Sequence, residues 1–319
     1  MAQNLILLVV GLVGLTFAAD RFVLGAAQVA ARLQVSTVVT GALIIGFGTS
    51  APELVVSTMA ALTEGAEGTA LAIGNIVGSN VANLTLVMAL PVLVYGPIAI
   101  EKDAGVKRQA AVSATGVMVF AAAVLLFEPT RWLGLGLGGL TVIALGFVVR
   151  IGDRYGGVAP PDSAEGSSPW ILTVVGLVGT VAFAYLVVSS ATSIADDLGW
   201  TGGFVGFGLV AVGTSLPELV TALAAARRGE PGLIIGNLLG SNLFNSLTVG
   251  SAVFLANGPT PFSDAAGLPP LMLLGMVAVS WLVILFMRTN RRIDRSEARV
   301  LILIYLTMLG WLAMTGATA

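Results

Sequence analysis

The sequence predicts an all-α integral membrane protein of ten transmembrane helices, arranged as two inverted five-helix repeats. Three observations predict it. The first is composition: 56% of the 319 residues are hydrophobic and only 10% charged, and the mean hydropathy is +0.97, outside the range of soluble domains. The second is the recurrence of uncharged runs near the ~20 residues that a helix needs to cross the hydrocarbon. The third is a pair of polar motifs, each of which occurs twice.

Composition also removes whole classes of chemistry. With no cysteine and no histidine, disulfides, thiolate nucleophiles, haem or zinc held by imidazole, and a Ser-His-Asp device are excluded. A net charge of −2 and a pI of 5.2 leave no basic patch for nucleic acid. The first charged residue is Asp20 and the first basic one Arg21. The apolar start therefore lacks the basic n-region of a cleaved signal peptide and reads as a retained first span.

Uncharged single spans lie within 109–127, 132–149, 265–287 and 300–319, and longer runs occupy 68–100, 166–195 and 231–263. Three further spans carry charge: 4–31 with Asp20 and Arg21, 33–63 with Glu53, and 198–226 with Glu218. Turn signals such as Gly96-Pro97, Glu128-Pro129, Gly258-Pro259 and Pro269-Pro270 fall between spans. Numbering the loops alternately puts thirteen of the fifteen Lys and Arg on one side, with Arg131 alone on the other and Arg21 inside the first span. By the positive-inside rule this places both termini outside the cytoplasm, in a multi-pass protein of the cell (inner) membrane. The stretch 153–169, rich in Gly, Pro, Ser and Asp, reads as a linker between a first repeat over 1–152 and a second over 170–319.

The repeat is visible in polar residues. GTSAPELV from Gly48 recurs as GTSLPELV from Gly213, offset 165, and IGNIVGSNVAN from Ile73 recurs as IGNLLGSNLFN from Ile235, offset 162. The motif pairs sit on spans two and three and on spans seven and eight, so the unit is five helices. An odd number inverts the second copy, as in many transporters whose sites lie at the midplane. Chance similarity between membrane helices preserves Leu and Val; it does not preserve Pro-Glu and Ser-Asn.

Glu53 lies about five residues from the middle of its span, roughly 8 Å along a helix. An ionisable group at that depth is costly unless partnered and marks a functional site. Its span offers no basic partner, and Glu218 repeats the arrangement. Two carboxylates converging there would repel unless cations or protons neutralise them. Thr49 and Ser50 precede Glu53 by four and three residues, on the same helix face. Pro52 has no N–H, which frees the carbonyl of Gly48, and Pro217 does the same at Gly213. Ser79 with Asn83, and Ser241 with Asn245, are i, i+4 pairs, and the Gly74-Asn75 and Gly78-Ser79 steps allow close backbone approach. Carboxylate, hydroxyl, amide and carbonyl oxygens suit hard cations such as Ca²⁺ and Na⁺; softer metals want the sulfur and imidazole that are missing.

These motifs resemble the α-repeats of the cation/Ca²⁺ exchanger superfamily, most closely the prokaryotic sodium/calcium exchanger type, and the resemblance covers both halves of the chain. It implies two four-helix cores, with spans one and six as long tilted helices that slide across them during alternating access. It implies that Glu53 and Glu218 are the central Ca²⁺ carboxylates and that Thr49 and Thr214 supply further oxygens. Ser50, Ser215, Ser79 and Ser241, with the carbonyls of Gly46 and Ala211, would complete flanking Na⁺ sites, and Asn83 and Asn245 would sit beside the central pair. The motif segments are then 46–53 and 73–83, and 211–218 and 235–245. Some prokaryotic members and the potassium-dependent exchangers carry Asp where Asn245 stands, and proton-coupled ones tend to place an additional Glu in the second motif of each repeat, which this chain lacks. The large regulatory insertion of animal exchangers is absent between the repeats.

The resulting expectation is a secondary antiporter, not an enzyme, that moves Ca²⁺ outward on a Na⁺ gradient, with no cofactor and with the ions and the bilayer as its only partners. A proton- or potassium-coupled divalent exchanger is the alternative. A cation channel with the same acidic centre fits inverted repeats less well, and an intramembrane serine enzyme lacks a base. The G-x-G-x-x-G match over Gly134 to Gly139 lies inside a hydrophobic span with no strand-turn-helix context, and close helix packing accounts for it. Asp20 and Arg21 read as an intrahelical or interhelical pair without a counterpart in the second repeat.

Overall fold

The structure is a computed structural model that describes residues 2–33, 35–63, 65–100, 104–128, 130–153, 168–197, 214–256, 270–289 and 292–316. The chain opens with α1 (Ala2–Leu33), 32 residues, about 48 Å at ~1.5 Å per residue. That exceeds the ~30 Å hydrocarbon thickness. α1 packs most extensively on a second long helix, Pro169–Asp197. Glycines make that contact close. A Cβ added at Gly11 would stand 2.9 Å from the Val187 side chain, one at Gly25 would stand 2.5 Å from the Thr173 amide nitrogen, and one at Gly176 would stand 2.5 Å from that of Phe22. The pairs run in opposite order along the two helices, so the helices are antiparallel, joined by small residues as membrane helices commonly are.

The second span is broken. Residues α2 (Thr37–Thr40), a π-helical turn over Gly41–Gly46, and α3 (Phe47–Thr49) lead to Ser50, and α4 (Ala51–Thr63) resumes at 43°. The cause is Pro52, which cannot donate to the carbonyl four residues back and crowds it. α5 (Gly65–Ala82) follows, then a second π turn over Asn83–Val87 and α6 (Met88–Tyr95), the strand β1 (Ile98–Ala99), α7 (Ala104–Leu126) and α8 (Arg131–Asp153).

After the long helix Pro169–Asp197, now α9, the description resumes at Thr214. α10 (Leu216–Arg227) begins directly after Ser215. It ends in a Schellman turn on Gly229, whose φ is +69°, with the Glu230 amide donating to the Ala225 carbonyl and that of Gly229 to Ala226. α11 (Pro231–Leu243), a third π turn over Phe244–Val249 and α12 (Gly250–Ala256) form one continuous span. α13 (Pro270–Thr289), β2 (Arg292–Ile293) and α14 (Arg295–Gly316) complete the chain. β1 and β2 pair antiparallel, Ile98 opposite Ile293, and tie the first half to the last helices.

Among the described residues seven helices are long and apolar enough to cross a membrane, or eight when the bent pair of the second span is taken as one. The reading of ten spans goes further than this count. α14 carries Arg295, Glu297 and Arg299 in its first turns, and the first half of the expected seventh span lies outside the described residues, as do residues 154–167 of the linker, Ala211 and Gly213. The outer helices α8 and α9 turn wide apolar faces outward, including Trp132, Val142, Ile171, Val175 and Tyr185, as lipid contact requires.

α11 is the buried centre. Every residue from Gly232 to Leu243 is buried, and its glycines meet the π turn of the second span. A Cβ at Gly240 would lie 2.5 Å from the Ala42 Cα, and one at Gly46 would lie 2.7 Å from the Asn237 carbonyl oxygen. The glycines of the discounted nucleotide-binding match behave as packing residues in part: Gly134 and Gly138 face Ser251, and the Gly134 carbonyl accepts its hydroxyl at 2.7 Å, whereas Gly136 and Gly139 meet nothing.

Candidate cation-binding centre

Ser50, at the break in the second span, and Ser215, directly before α10, hold the same place in the motif and the same backbone conformation. Ser50 has φ −85° and ψ 7°, and Ser215 has φ −89° and ψ 6°, the sparsely populated bridge region where active-site residues recur. Each serine is followed two residues on by a proline and three residues on by a glutamate in the first turn of the helix that follows. A carboxylate at a helix N-terminus sits at the positive end of the helix dipole, which offers Glu53 and Glu218 partial stabilisation with no basic residue beside them.

The centre is fully buried. Glu53, Glu218, Thr49, Ser50, Asn83, Ser241 and Asn245 are 0% exposed, and Ser79 and Ser215 only 2% and 3%. Ser50 Oγ donates to Glu218 Oε1 at 2.9 Å, and Ser79 Oγ donates to Glu53 Oε1 at 3.3 Å. Ser79 also lies 3.3 Å from Ser215 Oγ and accepts from Asn245 Nδ2 at 3.2 Å. A serine has one proton, and Ser79 spends it on Glu53, so Ser215 is the donor to Ser79. Ser241 Oγ donates to the Gly46 carbonyl at 3.0 Å. Thr49 Oγ1 lies 3.4 Å from Asn237 Oδ1, and Thr214 Oγ1, half-buried, lies 3.5 Å from Asn75 Oδ1. These last two contacts are each other's image under the sequence offsets 165 and 162.

What the network leaves unmade is as informative. Glu53 Oε2, Glu218 Oε2, Asn83 Oδ1 and Asn245 Oδ1 are buried and have no hydrogen-bond partner. The amide nitrogens of the two asparagines are spent, Asn83 on Asn242 Oδ1 at 3.1 Å and Asn245 on Ser79, so their carbonyl ends are what remains. Four buried acceptors without a donor are costly and are of the chemistry that a hard cation takes as ligands. Among the described residues no three acidic groups gather anywhere. A cation here would have two carboxylates at most and would complete its shell from neutral oxygens.

Most residues singled out in the sequence therefore meet at this centre. Ala211 lies outside the described residues. The proline argument pointed to the carbonyl of Gly48 and the family resemblance to that of Gly46; the one that accepts from the opposite repeat is that of Gly46, at the end of the π turn over Gly41–Gly46. Sequence reasoning also passed over the remaining asparagines of the motifs. Asn80 donates to Ser246 at 2.8 Å, Asn242 donates to the Asn80 carbonyl at 2.9 Å, and Asn75 and Asn237 donate to Ser57 and Thr221 at 3.0 and 3.1 Å. Their duplication was the available signal. Asp20 pairs with neither Arg21 nor its own helix. It accepts from Arg227 and from Arg228, the latter through Nε at 2.9 Å and Nη2 at 2.6 Å.

Fold and centre together define a multi-pass helical membrane protein built around a buried, anionic, oxygen-lined core contributed by both halves of the chain. The sodium/calcium exchanger protein family matches residues 3–150 and 168–314, and the chain belongs to that family. It is 35% identical to the putative antiporter CaxA of Alkalimonas amylolytica, over 94% of this chain and 96% of that protein. It is 30% identical to the sodium/calcium exchanger MaX1 of Methanosarcina acetivorans, over 96% and 97%. Among solved structures it is similar to the sodium-calcium exchanger NCX_Mj soaked with 10 mM Na⁺ and 10 mM Sr²⁺, with a TM-score of 0.83 and 29% identity over 96% of this chain and 97% of that one.

Proposed function

We propose that the protein is a secondary antiporter that exchanges Na⁺ for Ca²⁺ by alternating access, with Ca²⁺ leaving the cell on the inward Na⁺ gradient. The observation that carries this reading is the set of four partnerless buried oxygens on Glu53, Glu218, Asn83 and Asn245. Two carboxylates carry a formal charge that one Ca²⁺ cancels and that two Na⁺ ions cancel equally, so the same centre serves both ions in turn. In this reading Glu53 and Glu218 hold Ca²⁺ with help from Thr49 and Thr214. Ser50, Ser79, Ser215 and Ser241, with the Gly46 and Ala211 carbonyls, serve the Na⁺ sites, and Asn83 and Asn245 stand beside the central pair.

The architecture belonging to this reading is ten helices in two inverted repeats, over 1–152 and 170–319, joined by 153–169. The matching backbone angles at Ser50 and Ser215 and the reciprocal Thr-Asn contacts support it. The partition of Lys and Arg supports an inner-membrane orientation with both termini outside. Neutral Asn245, and the absence of further acids among the described residues of the centre, favour Na⁺ over K⁺ or H⁺ as the driving ion.

The test is Ca²⁺ flux in proteoliposomes with Na⁺, K⁺ and H⁺ gradients imposed singly. The reading requires flux that follows the Na⁺ gradient and reverses with it. Flux driven by the proton gradient alone would assign the other coupling, and Ca²⁺ movement indifferent to every opposing gradient would make the protein a channel.

A further inference from the structure

Asp20 and Arg21 are neighbours in the first long helix, and ion exchange as read above uses neither. The fold gives them opposite fates. Asp20 is consumed by Arg227 and Arg228 at the end of α10. Arg21 points away, exposed, with its guanidinium 4.8 Å above the Phe17 ring, and among the described residues it has no carboxylate within ion-pair reach. It is a charge that cannot be given up, with five donors, on a helix that crosses the membrane. A cation so placed ordinarily faces a counter-ion or an aqueous cavity.

Beside Arg21 lies a groove of about 260 Å³ between α1 and α9, lined by Phe17, Ala18, Arg21, Val175, Gly179 and Phe183, among others. Its walls are apolar, and two of them, Phe17 and Val175, are 62% and 64% exposed on the face that meets lipid. The groove exists because α9 carries Gly176 and Gly179 where the helices approach: a Cβ at Gly179 would stand 3.0 Å from the Ala18 Cβ. Arg21 is therefore a phosphate-binding group at the rim of a slot with the lining of an acyl-chain site. The Asp20 ion pair anchors this stretch of α1 at the level where α10 ends in Arg227 and Arg228, the face that collects the basic loops. The leaflet there is the anionic one.

We propose that the groove between α1 and α9 is a binding site for an anionic phospholipid, with the phosphate on Arg21 and an acyl chain against Phe17, Val175 and Phe183. The guanidinium fork matches two phosphate oxygens, and Phe17 holds the fork in place by cation–π contact. The site is separate from the buried centre, and its occupancy is measured without reference to transport.

The experiment uses the full chain, purified and equilibrated with an equimolar mixture of phosphatidylglycerol and phosphatidylcholine of matched chains, with retained lipid identified by native mass spectrometry. The parent retains phosphatidylglycerol over phosphatidylcholine about five-fold, the preference that one basic residue at a membrane surface supports. Arg21→Gln loses the preference, whereas Arg32→Gln, on the same helix but outside the groove, keeps it. Val175→Trp fills the slot and lowers retention of both lipids. Both Arg21 and Val175 are exposed, and thermal unfolding of each variant shows whether the fold is intact; Arg21→Lys, which keeps the charge, retains part of the preference. Equal retention of the two lipids by the parent, or an undiminished preference in Arg21→Gln, overturns the proposal. Parent-like retention in Val175→Trp removes the acyl chain from the groove and overturns it as well.

Discussion

The hydroxyl of Ser50 donates to Glu218 Oε1 at 2.9 Å although the two residues are 168 positions apart. The carboxylate of one motif copy is thus held by the hydroxyl of the other. Glu53 is held differently: Ser79 of its own repeat donates to it at 3.3 Å, and Ser215 reaches it only through Ser79. The two copies are equivalent in their motif residues, but their carboxylates are not equivalently held in this conformation, and the second prediction depends on that.

Glu53→Gln and Glu218→Gln each abolish Ca²⁺ transport and leave the fold intact. Each removes one of two charges from a divalent ion that must shed its water, a loss of several kcal/mol even at an effective dielectric of ~20. Neither leaves a buried charge without its former partner. Ca²⁺ uptake by each variant in proteoliposomes, beside its elution profile and thermal unfolding, is the check. Parent-level uptake in either one would falsify the assignment of that carboxylate.

Ser79→Ala and Ser241→Ala raise the Na⁺ concentration for half-maximal exchange, while the half-maximal Ca²⁺ concentration moves less. A monovalent ion depends more on each dipolar ligand than a divalent ion between two carboxylates does. Ser79 touches Glu53, Ser215 and Asn245, so its removal has the larger effect, several-fold if each lost contact is worth ~1 kcal/mol. Dose–response curves for both ions separate the effects; a shift confined to Ca²⁺ contradicts the assignment.

Asn245→Asp puts a third carboxylate into a centre that has no basic residue among the described ones, and it also deletes one of the two donors to Ser79. Charge balance then requires one more proton or monovalent cation whenever Ca²⁺ is bound. The variant gains a K⁺ requirement, or a dependence of exchange on pH between about 6 and 8, that the parent lacks. Initial rates of Na⁺-driven Ca²⁺ uptake across that range, with and without K⁺, decide it. Superimposable profiles mean that the residue does not face the ions.

Asp20→Asn releases α1 from the end of α10 and leaves Arg227 and Arg228 without the carboxylate they share. The side chain of Asp20 is 18% exposed, and charge-assisted hydrogen bonds of this kind contribute about 1–3 kcal/mol, so the variant unfolds at a lower temperature than the parent. Arg21→Gln, at the adjacent position, leaves the unfolding temperature unchanged in lipid-free detergent. Equal unfolding temperatures for Asp20→Asn and the parent would mean that the ion pair contributes nothing to the docking of the long helix.

How much of this was legible beforehand differs by residue. The disruption of the second span was readable from Pro52, because a missing N–H acts locally and needs no tertiary partner. The functional oxygens were readable because polar residues repeated at fixed offsets in a membrane stand out against apolar sequence, and Glu53, Ser79, Glu218 and Asn245 all lie in the motifs. Asn80 and Asn242 were in the same motifs but passed unnoticed: an asparagine whose task is to cross-link two helices looks in sequence like any small polar residue.

By itself the sequence determined the membrane-spanning class, the duplicated polar motifs, the place of the break in the second span and the oxygen-only chemistry of the centre. All of these follow from composition, period or a covalent property of single residues. Only the tertiary structure decided that the Gly46 carbonyl accepts from Ser241 of the opposite repeat, and which asparagine oxygens are left without donors. It alone gave Asp20 to Arg227 and Arg228 while leaving Arg21 at the rim of a groove. Those outcomes depend on how closely helices remote in sequence approach, and that distance is set where a glycine such as Gly240 meets the backbone at Ala42.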